Sequence, residues 1–225
     1  MKDSDLFTFL KRVPLLADLN DAALAMLARV SRTRKIPKGA TLFDQDDEGD
    51  AAYIVRAGSI AIVLNMPDGR ELVINEMRAG DCFGELALLT DAPRSASAVA
   101  GEPSELVVIP REEFLAELER EPKLLRQLIG LIAERLRVSS ERERALAFLD
   151  APARLARMLL QLNRAASQEG YVTISQEELA RRIGATRQTS AKILGQWRRA
   201  GWIVTGRGRI VVLDRAALKK VTGDT

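Results

Sequence analysis

The sequence predicts an α+β fold in which a small β-barrel or jelly roll is followed by a long helix and a helix-turn-helix. Between Ile36 and Pro110, short apolar runs alternate with glycine, aspartate and proline turns, as is typical of small barrels and jelly rolls. From Pro122 to about Leu146, apolar residues recur at helical spacing. The last part of the chain places two short helical segments around a glycine and ends with a hairpin pattern. A length of 225 residues favours two domains of ordinary size.

Individual elements follow from the local pattern. Residues 5–33 have apolar residues at helical spacing, with Asn20 as a candidate N-cap and Pro14 between two segments. Asp150, before Ala-Pro, is a suitable point for the long helix to end and the next to begin. The expected barrel strands are Thr41–Phe43, Ala52–Val55, Ser59–Leu64, Glu71–Ile74 and Glu105–Ile109.

Composition narrows the classes of function. The chain has one cysteine, Cys82, and no histidine, so it can form no intrachain disulfide and lacks the commonest metal and haem ligand. An iron–sulfur cluster would need several cysteines, so we expect no metal, haem or iron–sulfur cluster. No nucleophile is paired with a base, which argues against an enzyme. Because no apolar run has the length of a membrane span and the N-terminus lacks a signal-peptide pattern, we expect a cytoplasmic protein without a membrane partner.

Charge is distributed unevenly along the chain. Residues 1–149 carry a net charge of −5 and residues 150–225 carry +8, within a total of +3. A basic C-terminal part after a mildly acidic N-terminal part indicates nucleic-acid contact by the second part.

One stretch has the residue types that would cradle a small cyclic phosphate. It reads F-G-E-L-A-L-L over residues 83–89 and P-R-S-A-S-A over residues 93–98. Gly84 allows close backbone approach, Glu85 can accept from a sugar hydroxyl, and Arg94 with Ser95 can bind phosphate oxygens. We expect Arg94→Leu to abolish binding without loss of the fold. The alternative is a core strand, a glycine turn and a surface Arg–Glu pair. The candidate ligand-binding residues here are Gly84, Glu85, Leu86, Ala87, Arg94 and Ser95.

The long helix carries a narrow apolar seam. Leu125, Leu128, Ile132 and Leu136 are spaced by three, four and four residues, as in a two-stranded coiled coil. This spacing predicts a homodimer that would be split by glutamate at positions 128 and 132. The alternative is that the seam packs against the barrel of its own chain.

A helix-turn-helix is predicted between residues 175 and 194. Ser175 can cap the first helix, with Glu178 completing a capping box, and Gly184 lies where the turn needs a positive φ. Thr186 can cap the second helix. A purely structural helical hairpin is the alternative. Residues 201–213 read as a hairpin with a basic, glycine-rich tip, which would make the motif winged. The candidate DNA-binding residues are Ser175, Thr186, Arg187, Gln188, Thr189, Lys192 and Arg207.

These motifs, in this order, resemble the cyclic AMP receptor protein (catabolite activator) family, within the CRP-FNR superfamily of bacterial regulators. The resemblance implies an N-terminal cyclic-nucleotide-binding β-roll over residues 1–121 and a dimerisation helix with hinge over 122–150. It implies a winged helix-turn-helix DNA-binding domain over 151–225. By the same resemblance the function is cyclic-nucleotide-responsive transcription regulation, as an activator that contacts RNA polymerase.

The resemblance also implies residue roles. Glu85 binds the ribose hydroxyl, Arg94 and Ser95 bind the cyclic phosphate, and Ser139 together with Ser140 of the partner subunit reaches the purine. Cyclic AMP is the implied ligand and cyclic GMP the alternative. Where close family members carry Arg-Glu and a later Arg in the recognition helix, this chain has Arg187-Gln188 and Lys192. Two further alternatives stay open: a ligand-independent or redox regulator that uses Cys82, and a nucleotide sensor that acts on a partner protein without DNA.

Overall fold

The computed structural model describes residues 2–66, 71–166, 170–206 and 208–222. The chain divides into two compact units. The first comprises Met1–Asn65 and Val73–Arg137, and the second comprises Met66–Leu72 and Val138–Thr225. The predicted α+β fold class, with a β-roll, a long helix and a C-terminal helix-turn-helix, is confirmed. The domain boundaries predicted after residues 121 and 150 stay predictions.

The first unit contains short helices around two sheets. Its described helices are α1 (Lys2–Leu10), α2 (Asp21–Val30), α3 (Glu85–Thr90), α4 (Arg111–Arg120) and the start of α5 (Pro122–Phe148). Its described strands are β1 (Arg32–Ile36), β2 (Thr41–Phe43), β3 (Ala51–Ala57), β4 (Ser59–Asn65), β5 (Glu71–Arg78), β6 (Cys82–Phe83), β7 (Ser97–Ala100) and β8 (Ser104–Pro110). The first two residues of β5 are assigned to the second unit. Asn20 caps α2 as predicted, because its side chain accepts from the Ala23 amide at 2.9 Å.

The described strands of the first unit form two four-stranded sheets, ordered β1-β8-β3-β6 and β2-β7-β4-β5. The pairs β1–β8, β8–β3, β3–β6, β2–β7 and β7–β4 are antiparallel. Strand β3 is buried on both faces because its alternate residues face different cores. Tyr53 and Val55 pack in the core between the sheets with Ile60 of the second sheet. Ala52 and Ile54 pack instead with the helices. Residues 51–55 of β3, beside which β6 pairs, are therefore buried on both sides of the sheet.

Helix α5 packs one side onto the first unit. Leu124 and Leu128 are 2% and 0% exposed and belong to the same core as Phe114 of α4. Leu131 and Ile132 are partly buried against that core. No helix in the described ranges is both long enough and apolar enough to cross a membrane.

The second unit is a small helical domain with a three-stranded sheet. Its described elements after α5 are α6 (Ala151–Ala165), β9 (Val172–Thr173), α7 (Gln176–Ile183), α8 (Arg187–Arg199), β10 (Ile203–Gly206), β11 (Arg209–Val212) and α9 (Arg215–Thr222). The sheet order is β10-β11-β9. Asp150 caps α6 by accepting from the Ala153 amide at 2.8 Å, so the predicted helix break is confirmed. Leu155, Leu179 and Trp197 are buried in the core that α6, α7 and α8 share.

Several elements lie where the sequence pattern did not indicate them. Residues 32–33, predicted to be helical, begin strand β1, whose first four residues are all exposed. An edge strand of this kind carries no apolar alternation, because neither face is buried. Strand β7 consists of small residues and is mostly buried. Helix α9 was also not predicted.

Candidate functional site

The predicted ligand-binding stretch begins where strand β6 meets helix α3. Gly84 lies between them with a φ of +80°, in the left-handed region that favours glycine. A Cβ at this position would lie 2.8 Å from Nη1 of Arg94 and 3.1 Å from Cδ2 of Tyr53. A larger residue would therefore displace neighbouring side chains, as expected for a position of close approach. We call residues 83–98 the cassette.

Glu85 places a carboxylate inside the cassette. Its side chain is 1% exposed, and its Oε1 accepts from Nη1 of Arg135 on α5 at 2.7 Å. Nη2 of Arg135 also donates to the backbone carbonyl of Cys82. The second carboxylate oxygen, Oε2, is buried and has no hydrogen-bond partner among the described residues. A buried anionic oxygen without a partner is costly, so this atom is available to a hydroxyl donor.

Arg94 contacts the backbone of Gly84. Its side chain is 2% exposed, and Nη1 donates to the Gly84 carbonyl at 2.7 Å. Nη2 donates to the Ala51 carbonyl at 2.9 Å and to Oδ1 of Asp50 at 3.1 Å. The guanidinium stacks 4.3 Å from the ring centroid of Phe43, while Nε is buried without a partner in the described part of the chain.

These contacts correct the expectation that Arg94→Leu would leave the fold intact. Loss of the guanidinium would leave two backbone carbonyls without their donor and would remove the stacking on Phe43. The burial of Arg94 had no signal in the sequence, because Asp50 and Ala51 lie more than 40 residues earlier in the chain.

The remaining cassette residues differ in exposure. Leu86 is 42% exposed, Ser95 is exposed, and Ala87 is 4% exposed in the wall of the cassette. Gly84, Glu85 and Arg94 are thus brought together, with Leu86 and Ser95 at the surface. Their roles toward a ligand stay predictions.

In the second unit, three predicted features shape the helix-turn-helix. The Ser175 hydroxyl accepts from the Glu178 amide at 3.1 Å, and Thr186 accepts from the Thr189 amide at 3.1 Å, so both predicted caps are present. Gly184 has a φ of +63°, as predicted. The capping box is not completed, since the Glu178 side chain accepts from Nη2 of Arg182 at 2.7 Å. In this i,i+4 ion pair the Glu178 carboxylate points toward Arg182, one turn further along α7, and not toward the helix N-terminus.

Helix α8 has one buried and one exposed side. Ser190, Ile193, Leu194 and Trp197 are buried. Arg187, Gln188 and Lys192 are exposed, and Thr189 is half-buried with its hydroxyl 2.8 Å from that of Thr186. The predicted base-reading residues therefore share the side of α8 that faces away from its own core.

The hairpin of β10 and β11 adds a basic residue beside the motif. Arg207 lies outside the described residues, whereas Arg209 is exposed and stacks 4.7 Å from the ring centroid of Tyr171. Tyr171 was not identified from the sequence, because an isolated aromatic residue before a two-residue strand gives no pattern. One surface cleft joins the first turns of α7 and α8 to this hairpin. Its lining includes Ser175, Gln176, Glu177, Arg187, Gly206, Gly208 and Arg209.

Comparison with known proteins decides the family. Residues 33–121 match the cyclic nucleotide-binding domain and residues 153–221 match the Crp-like helix-turn-helix domain. The CRP-like cAMP-activated global transcriptional regulator of Mycobacterium tuberculosis is 32% identical over 217 residues, covering 94% of this chain and 97% of the relative. The Cyclic AMP receptor protein of Thermus thermophilus is 32% identical over 212 residues, covering 94% and 98%. This chain belongs to the CRP/FNR family of transcription regulators.

Solved structures of CRP/FNR regulators share the architecture. The catabolite activator protein of Thermus thermophilus is 32% identical, with a TM-score of 0.54 and coverage of 94% of this chain and 100% of that one. The c-di-GMP responsive regulator CLP of Xanthomonas campestris has a TM-score of 0.79 over 87% of this chain and 100% of its own. Because the two sequences are only 24% identical, this match shows a similarity of fold and nothing more.

For this CRP/FNR chain, the apolar seam on α5 needs a correction. Leu128 is 0% exposed in its own core and cannot contact a partner, and Ile132 is partly buried there. Leu125 and Leu136 are 40% and 67% exposed, and Ile129, which was not predicted, is 58% exposed. The spacing 125, 129, 132 and 136 is also a heptad pattern and could have identified Ile129. The homodimer itself stays a prediction.

The two serines that follow the seam belong to the second unit. Ser139 and Ser140 are both exposed, and the Ser139 hydroxyl donates to Oε1 of Glu143 at 3.3 Å. Their hydroxyls are therefore accessible, and their predicted contact with a purine stays a prediction.

Two observations bear on redox and metal chemistry in this CRP/FNR chain. Cys82 is buried, and its desolvation, with a smaller contribution from the charge of Glu85, strongly raises the pKa of the thiol. Since the thiolate is the reactive form, this environment disfavours a cysteine-based sensor. No group of three or more potential metal ligands occurs among the described residues.

Proposed function

We propose that this chain is a cyclic-nucleotide-responsive transcription regulator whose cassette binds cyclic AMP and whose helix-turn-helix binds double-stranded DNA. It acts as a homodimer in the cytoplasm, where it activates transcription through contact with RNA polymerase. The functional division is a nucleotide-binding domain over 1–121, a dimerisation helix and hinge over 122–150, and a DNA-binding domain over 151–225.

One observation carries the proposal: the cassette buries two opposite charges that have separate partners. Glu85 pairs with Arg135, and Arg94 pairs with Asp50 and with backbone carbonyls. Each keeps one buried polar atom, Oε2 or Nε, without a partner among the described residues. A ligand with both a hydroxyl and an anionic phosphate satisfies these two atoms together, and a cyclic nucleotide has both groups on one ribose.

The choice of cyclic AMP is supported by the relatives. Both the mycobacterial regulator and the Thermus receptor are named for cyclic AMP. Cyclic GMP remains the alternative, because the hydroxyls of Ser139 and of the partner subunit's Ser140 can each donate or accept a hydrogen bond and so suit either purine edge. Gly84, Leu86 and Ala87 would line the site, and Ser95 would donate to the phosphate.

Calorimetric titration with cyclic AMP, cyclic GMP and cyclic di-GMP tests the ligand. We expect saturable binding of cyclic AMP, and a loss of about tenfold in affinity for Ser95→Ala, since hydrogen bonds to charged groups are stronger than neutral ones. Ser4→Ala, at an exposed position of α1, is the matched control and should bind as the wild type does. Absence of binding by all three nucleotides would refute the proposed function.

On the DNA side, the exposed residues of α8 would read bases. Arg187 can bind guanine bidentately, Gln188 suits adenine, and Lys192 adds a flexible point charge. The remaining predicted contacts would position the duplex through its phosphates. These are Ser175, Thr186, Thr189 and Arg207. A two-fold symmetric dimer implies two half-sites about one helical turn apart.

Regulation would follow from a shift between two populations. The nucleotide can favour the DNA-binding state only by the difference in its affinity for the two states. An exposed seam at Leu125, Ile129 and Leu136 would hold the two copies together in both states.

A further inference from the structure

Arg154 of helix α6 joins two chain segments that are distant in sequence. Its Nε donates to the carbonyl of Ile183 at 2.8 Å, and its Nη1 donates to the carbonyl of Leu149 at 2.7 Å. Ile183 is the last residue of α7, and Leu149 directly follows the last residue of α5. One half-buried guanidinium therefore connects the end of the long helix to the end of the first helix of the helix-turn-helix.

Both carbonyls lie where a helix leaves its acceptors without partners. The last four carbonyls of a helix have no intrahelical donor. At the end of α7, the amides of Gly184 and Ala185 both donate to the Ala180 carbonyl, while the Ile183 carbonyl accepts from Nε of Arg154. The C-terminal end of a helix carries a partial negative charge, and a cation at two such ends is doubly favourable.

The geometry of the side chain makes the connection stiff. A guanidinium is planar and holds its donors at fixed angles, whereas a lysine ammonium could satisfy one carbonyl at a time. The recognition helix α8 begins at Arg187, only three residues beyond Gly184. A displacement of the Leu149 carbonyl would therefore act, through one planar group, on the turn that precedes α8.

We propose that Arg154 is a positioning residue that makes DNA binding depend on the nucleotide. The inference rests on the proposed function, since it assigns the path by which the hinge at 149–150 acts on the recognition helix. Without these two hydrogen bonds, the end of α5 and the turn at Gly184 can move separately. Nucleotide binding would then remain intact while its effect on DNA affinity is lost.

The test compares Arg154→Ala and Arg154→Lys with Arg157→Ala, an exposed arginine on the same helix. For each protein, the dissociation constant for a selected operator is measured by fluorescence anisotropy with and without saturating cyclic AMP. Allosteric couplings are typically about 5–150-fold, and we expect the wild type and Arg157→Ala to lie in this range. The ratio compared is the dissociation constant for the operator without cyclic AMP divided by that with it. Arg154→Ala should bring this ratio to within about twofold of one, and Arg154→Lys should give an intermediate value. The calorimetric affinity for cyclic AMP should be unchanged in all four proteins.

A wild-type ratio in Arg154→Ala would overturn the inference. If that variant does not fold, Arg154→Lys decides, through its ratio and through hydrogen exchange of the amides of residues 184–186. Faster amide exchange than in the wild type, together with a reduced ratio, supports the inference. Exchange and a ratio that both equal those of the wild type overturn it. If the operator affinity of the wild type does not respond to nucleotide, the proposed function fails. The exchange measurement then tests by itself whether Arg154 stabilises the turn at residues 184–186.

Discussion

Arg135 of the long helix donates from Nη1 to Oε1 of Glu85 at 2.7 Å, and thereby ties the predicted dimerisation helix to the buried carboxylate of the cassette. The same guanidinium donates to the Cys82 carbonyl, one residue before the cassette begins. Arg135 is 22% exposed and Glu85 is 1% exposed, so the pair is shielded from water on the carboxylate side. A ligand hydroxyl that binds Glu85 therefore acts on a group already joined to α5.

The first prediction concerns this pair. Arg135→Leu should lower the free energy of unfolding by about 3 kcal/mol, because it leaves the carboxylate of Glu85 buried without a counter-charge. Urea denaturation followed by far-UV circular dichroism measures the change. Arg137→Leu is the control, since Arg137 pairs with Glu134 at the surface, and its denaturation midpoint should stay close to that of the wild type. Equal effects of the two changes would mean that the buried pair contributes no special stability.

The second prediction replaces Arg94 with a residue that keeps its charge. Arg94→Lys should weaken cyclic AMP binding by at least about tenfold, because one ammonium cannot hold the carbonyls of Gly84 and Ala51 and also donate to a phosphate from the position of Nε. Calorimetry measures the affinity, and a thermal melt checks that the protein is folded. Arg78→Lys, at an exposed arginine of β5, should change neither. Undiminished affinity in a folded Arg94→Lys protein would remove Arg94 from the phosphate site.

The third prediction separates the dimer face from the core face of α5. Glu at both 129 and 136 should give folded monomers by light scattering, because Ile129 and Leu136 are exposed apolar residues on one side of the helix. Leu128→Glu should instead destabilise the fold, since Leu128 is fully buried in its own core. A dimer that survives the exposed pair of changes would place the interface elsewhere.

The fourth prediction concerns base reading by Gln188. A randomised-site selection with the wild type should return a strong guanine under Arg187 and a preference for adenine at the contact made by Gln188. Gln188→Glu should shift that one base pair toward cytosine, because a carboxylate offers acceptors only, and leave the other positions unchanged. Each bidentate contact contributes roughly 1–3 kcal/mol of discrimination. Identical logos from the two proteins would mean that Gln188 does not contact a base.

Local signals in the sequence predicted a large part of the fold. Asn20, Ser175 and Thr186 cap helices because a short polar side chain at this position can accept a hydrogen bond from a free amide of the first helical turn. The positive φ of Gly184 was likewise predicted from a glycine at a tight turn, and the close approach at Gly84 from a glycine in the cassette. These features depend on neighbours within a few residues, so they can be predicted from periodicity and spacing in the sequence.

Long-range contacts could not be predicted in the same way. Arg135 lies 50 residues from Glu85, in a charged stretch of helix with nothing to distinguish it from Arg137. The same holds for Arg154, whose two acceptors are backbone carbonyls and leave no trace in residue type. Leu128 was assigned to the wrong face because two apolar seams share α5, and spacing alone does not say which one meets the barrel.

The central claim is that a cyclic nucleotide held by the cassette raises the affinity of the helix-turn-helix for its operator. Fluorescence anisotropy with the full chain and a selected operator, with and without saturating cyclic AMP, tests it most directly. We predict that the nucleotide tightens DNA binding by at least about fivefold, and that Arg94→Lys needs at least about tenfold more nucleotide to reach the same effect. Saturable operator binding with one dissociation constant, whether cyclic AMP, cyclic GMP, cyclic di-GMP or no nucleotide is present, would contradict the account.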